Sequence, residues 1–114
     1  MAKSKNTHQP VLYITKKAVA DLPANRFVSY FGGVPTNETK TLGINDIKFL
    51  NGESAGIQVL GTAIIETVTA LTIGDAVTTD GTGKAKLVAG AMPINGRVVV
   101  GTTAAGFATI LLVS

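Results

Sequence analysis

Apolar and polar residues alternate along this chain in short runs, and glycine breaks the runs at intervals too short for helices. Val11-Leu12-Tyr13-Ile14 is a β-prone run behind a polar, lysine-bearing start. Residues 16–25 suit one helical turn or a loop, and Asp21 and Pro23 oppose anything longer. Arg26 to Phe31 alternates as a strand, with Phe27, Ser29 and Phe31 on one face and Val28 and Tyr30 on the other. Gly32-Gly33 ends it. A polar loop with Pro35 follows, then an extended piece over 41–44 and a turn at Asn51-Gly52.

From Gly56 onward the β pattern strengthens. Val, Ile and Thr recur, and β-branched side chains suit a pleated surface better than a helix interior. Residues 54–74 read as a strand pair, and 71–75 as a tight bend feeding a strand over 76–79. Asp80-Gly81-Thr82-Gly83 predicts a hairpin with a return strand over 84–89, because Gly takes the positive φ such turns need. Asn95-Gly96 predicts another turn, into a strand over 97–100, and residues 104–106 turn into a last strand over 107–113. No sustained 3.6-residue period occurs. The prediction is an all-β, single-domain fold, a small β-barrel or β-sandwich of about eight or nine short strands. An extended N-terminal arm spans residues 1–17, and the β domain spans residues 18–114.

Composition changes the picture in two places. The 114 residues are 46% apolar and only 15% charged, so either Thr, Ser, Asn and backbone supply the polar surface or partners cover apolar surface. The net charge of +3 is also uneven. Residues 1–20 hold Lys3, Lys5, Lys16 and Lys17 and no acid, a charge of +4, while the remaining residues hold six cations and seven acids, a charge of −1. A basic arm suits an acidic protein face, nucleic acid or an anionic surface, or it is simply a solvated terminus. No apolar stretch lies behind the first lysines, so a secretory signal is not expected. Val98 to Val113 is uncharged but too short to span a membrane as a helix, and Gly101 and Gly106 interrupt it.

Candidate chemistry is sparse. With no cysteine and His8 as the one histidine, disulfides and zinc or iron ligation are not expected. The seven acids lie apart in sequence, mostly beside Gly, Asn or Pro, as turn residues do. A carboxylate pair assembled in three dimensions is the remaining enzymatic reading. Gly81-Thr82-Gly83-Lys84-Ala85 fails the phosphate-loop pattern, which needs Gly where Thr78 stands and Ser or Thr where Ala85 stands. No enzyme activity and no cofactor are expected.

Gly61-Thr62-Ala63, then Gly74-Asp75-Ala76-Val77-Thr78-Thr79-Asp80, then Gly83-Lys84-Ala85 form a spaced set of turn-and-strand motifs. Gly96 to Gly101, the strand from Gly106 to Val113, and the earlier Leu42-Gly43-Ile44 complete it. Over roughly residues 41–114 this set resembles the capsid decoration proteins of tailed bacteriophages, also called cement or head-stabilising proteins. The chain departs from the family pattern in its longer basic arm and its longer connection over 45–54. The resemblance implies a mostly β virion protein on the outer surface of an icosahedral head, made in the host cytoplasm. It implies a homotrimer bound to the major capsid protein and locking neighbouring subunits.

The residues expected to carry capsid contact are those of the arm. Val11, Leu12, Tyr13 and Ile14 would supply apolar anchoring, and Lys3, Lys5, Lys16 and Lys17 would meet acidic loops. No specific nucleic acid and no membrane are expected as partners. The alternatives are a single-stranded nucleic-acid binder using the arm and the Tyr30 face, or another virion component of tail or fibre.

Overall fold

The computed structural model describes residues 9–113, and these form one antiparallel sheet with no helix. Its strands are β1 (Gln9–Lys17), β2 (Arg26–Val28), β3 (Gly43–Asn45), β4 (Ser54–Glu66), β5 (Ala76–Thr79), β6 (Ala85–Leu87), β7 (Gly96–Val100) and β8 (Phe107–Leu112). The order across the sheet is β2-β3-β4-β8-β7-β5-β6, and β1 pairs separately with β4. The two ends of this order meet. Phe27 N–H of β2 donates to the carbonyl of Gly83, just before β6, at 2.8 Å. Val68 N–H donates to Ala85 O at 3.1 Å beside it. The sheet is therefore nearly closed into a small barrel, which leaves few edges for uncontrolled pairing.

β4 is the spine. It runs unbroken for 13 residues, pairing with β1 over 54–62, with β3 at Gln58 and with β8 over 62–66. Its odd-numbered residues face two successive cores. Ala63 and Ile65 join Phe27, Val77, Val98 and Ile110 inside the barrel. Ala55 and Ile57 join Ala18, Leu22 and Val28 in a second cluster under β1 and the loop at 18–22. Close approach at β3 requires glycine: a Cβ on Gly43 would sit 1.9 Å from Gln58 O, well inside contact distance.

Several expectations are corrected. The strand starting at Arg26 stops at Val28, and residues 29–33 fold into a turn. Phe27 and Val28 are both buried because β2 lies between the two cores. Phe31 does not share the Phe27 face but sits at the turn's tip. The region 54–74 is one long strand and a loop, not a strand pair: Gly61, at φ 99°, carries the chain through without ending pairing. Asn95-Gly96 is not a turn. Gly96 begins β7, and the buried Asn95 carboxamide accepts Thr41 N–H at 3.0 Å and donates to Thr39 O at 2.9 Å. The bend at 71–75, the strand over 76–79 and the hairpin at 80–83 fall where expected.

Candidate docking surface

β1 owes its conformation to β-branched and aromatic residues paired along β4, from Gln9 opposite Thr62 to Lys17 opposite Ser54. The register slips on either side of Leu12, and such bulges twist a strand locally. Among the described strands none pairs with the other edge of β1. Val11, Leu12, Tyr13 and Ile14 are consecutive, so they point alternately to both faces, yet each is at least 40% exposed and Val11 is 74% exposed. Four adjacent large apolar residues open on both faces of an outer strand are unusual for a chain that works alone.

Tyr13 is fixed by its hydroxyl, which donates to Asp46 Oδ2 at 2.7 Å. Burial and then the adjacent carboxylate push its pKa up to about 12, so the phenol stays protonated. Lys16 is half-buried and Lys17 exposed at the far end of the strand. No described carboxylate forms an ion pair with either. Thus Val11, Leu12, Tyr13, Ile14, Lys16 and Lys17 lie together on β1, whereas Lys3 and Lys5 fall outside the described residues.

Beside the end of β1 stands the turn at 29–33. Ser29 N–H donates to Gly33 O at 2.9 Å, Gly32 N–H to Ser29 O at 3.0 Å, and Gly33 N–H to Ser29 Oγ at 3.1 Å. Gly32 has φ 85°, and a Cβ there would lie 2.3 Å from Lys17 O, so only glycine lets this turn seat on β1. A groove of about 400 Å³ opens next to the turn, lined by Val19, Tyr30, Phe31, Val34 and Lys40 among others. Burial lowers the Lys40 pKa. Its ammonium donates to the carbonyls of Ile94, at 2.7 Å, and Val113, tying the loop at 34–41 to the end of β8.

The carboxylates are all used structurally. Asp21 Oδ1 accepts Asn51 N–H at 2.9 Å, and Asp75 Oδ2 accepts Thr72 N–H at 2.8 Å. Glu53 accepts Leu50 N–H, and Asp80 holds its hairpin. Glu66 pairs with Arg26 at 3.2 Å and Lys84 at 3.4 Å. Glu38 binds the Lys86 ammonium, which also donates to Asn37 Oδ1 at 3.1 Å. The hydrogen bond from Lys86 outweighs the upward push of desolvation and holds the Glu38 carboxyl below its ordinary pKa. An ammonium paired with an ionised carboxylate is a strut and not a nucleophile. Among the described residues no group of three or more His, Cys, Asp or Glu is arranged to hold a metal ion. What the surface offers is apolar and aromatic area with lysines at its rim.

Sequence reasoning placed Tyr30 and Phe31 in a strand and so missed the turn that displays them. The pair Gly32-Gly33 directly after them was the available signal.

No family model matches the chain, and no curated protein matches it. Among solved structures it is similar to the N base of the head fibre gp8.5 of bacteriophage phi29. The TM-score is 0.73 at 16% identity, covering 90% of this chain and 93% of that one. At that identity the likeness is one of fold.

Proposed function

We propose that this protein is a structural component of a tailed-phage virion, and that it decorates the outside of the icosahedral head. The observation that carries this reading is the outer strand β1, whose four consecutive apolar residues are exposed on both faces beside lysines that have no carboxylate partner among the described residues. Such a strand suits a flat protein surface, with the apolar residues as anchors and the lysines steering toward acidic loops. The fold likeness to a phage head-fibre base supports the same setting. The partner is the major capsid protein, joined at the outer surface. A homotrimer over a threefold position would bridge neighbouring subunits, and many copies on one shell convert modest contacts into strong retention.

The test is co-sedimentation of the purified protein with heads of the phage that encodes it, followed by heating. Binding and a raised disruption temperature are expected. Absence of binding to both expanded and unexpanded heads refutes the reading. Removing residues 1–8 and replacing Val11 and Leu12 by Ser should weaken binding while leaving the barrel folded; undiminished binding by that variant removes the arm's role. A second reading has one specific observation in its favour. The similar structure is a fibre base, so the chain would serve as the foot of a longer appendage, and electron microscopy of decorated heads separates a knob from a fibre.

A further inference from the structure

The arm is not the molecule's most prominent apolar feature. Phe31 is 84% exposed, more than any other large hydrophobic residue among those described, and Tyr30 beside it is 52% exposed. The chain has only six aromatic residues, and two occupy this one turn. The turn is braced by three hydrogen bonds of its own. A fourth, from Val19 N–H to Gly32 O at 3.1 Å, ties it to the chain leaving β1. Rigid aromatic side chains displayed on a fixed backbone are what protein interfaces use as anchors, because little entropy is lost on docking.

The charge around the tip bears on its occupant. Lys40 lines the adjoining groove, and Lys16 Cβ lies near the Gly32 position, with Lys17 next in line. None of these three has a described carboxylate partner. The acids nearest in sequence, Asp21 and Glu38, are committed to Asn51 N–H and to Lys86. A second copy docked by the same patch would set these lysines against their own copies, which opposes association. Single-stranded nucleic acid needs aromatics spaced along a basic groove. Here both aromatics share one turn, and two of the three Lys40 donors already serve backbone carbonyls.

We infer that the Tyr30–Phe31 turn, with Lys16 and Lys17 beside it, is a preformed plug for an apolar pocket rimmed by carboxylates on the capsid lattice. The inference rests on the decoration reading and adds a second anchor to the arm. Phe31 enters the pocket, Tyr30 covers its lip, and the lysines meet the acidic rim.

The experiment compares the full chain with Phe31→Ser and with the double change Lys16→Glu, Lys17→Glu on the same heads at low and high salt. Phe31→Ser should weaken head binding at least about 30-fold, as loss of a hot-spot anchor does, with its melting temperature unchanged. The lysine double variant should bind more weakly at low salt and lose most of its salt dependence. If the wild type binds heads and Phe31→Ser binds equally well, the inference is overturned while the decoration reading stands. If the wild type ignores heads, both fall. If Phe31→Ser instead abolishes self-association in sedimentation, or abolishes salt-sensitive binding of an oligothymidine, the occupant is a second copy or nucleic acid and the inference fails.

Discussion

Asp80 Oδ1 accepts three hydrogen bonds, from Thr82 N–H at 2.8 Å, Thr82 Oγ–H at 2.8 Å and Lys84 N–H at 2.9 Å. Partial burial pushes its pKa up, but these donors and the Lys84 charge outweigh that, and the net shift is downward. The unfolded carboxyl titrates near its ordinary value of about 3.9. A depressed folded pKa therefore contributes stability that is present above that value and lost as pH falls through the folded one. Asp80→Asn keeps an acceptor but removes the charge, so it should cost about 1 kcal/mol at neutral pH. The gap to the wild type should narrow as pH falls below the unfolded value of about 3.9 and the wild-type carboxylate takes up its proton. Urea unfolding of both proteins at pH 7 and pH 2.5 checks this, and a gap that persists in acid would assign the effect to turn geometry alone.

At the scale of elements, the structure tests what a sequence can reveal. The hairpin at 80–83 was legible because its determinants are local: Asp80 bonds two and four residues ahead, and Gly83 supplies φ 88°. β4 was not legible as one strand. Its continuity through Gly61 depends on Gln58, whose Nε2 donates to Leu60 O at 3.0 Å and Thr62 O at 2.9 Å, and on β1 and β8 arriving from opposite ends of the chain. The exposed run at 11–14 was visible as a β-prone segment, but the turn at 29–33 depends on Lys17 O pressing against Gly32, a contact no local pattern encodes. The seam between β2 and β6 is equally non-local. Arg26 Nε and Nη2 both donate to Glu66 Oε1 at 3.2 Å, and Arg26 Nη1 reaches Thr82 O at 3.2 Å. Glu66→Gln would leave Arg26 and Lys84 facing each other without an anion. These groups are partly solvated, so the cost should be about 1–2 kcal/mol. It should appear as 5- to 30-fold faster hydrogen exchange of the Phe27 and Val68 amides, by about the factor such an energy implies. Uniform loss of protection across β4 and β8 instead would show that the seam is not a local opening unit.

At the scale of the whole molecule, the two cores sit against an outer surface unusually rich in apolar residues. Beyond β1 and the turn, Ile73 is 72% exposed, and Phe107 and Leu111 point outward from β8. Leu111 stands between Thr62 of β4 and Arg97 of β7 in the register, so this face has one charge in its central row. Near-closure of the barrel leaves β1 as the outer strand with an unpaired edge among those described, and the β8 face is a separate apolar surface open to a sister copy. The proposed trimer has a direct thermodynamic consequence: linkage to association raises the melting temperature as protein concentration rises. A hundredfold concentration series followed by calorimetry should show that rise, and sedimentation equilibrium should give the mass of three chains. Leu111→Lys would place a charge in the contact face without touching the core, and should yield a monomer whose melting temperature no longer depends on concentration. A wild-type melting temperature independent of concentration, with the mass of one chain, would mean that the exposed β8 face meets the capsid and not a sister copy.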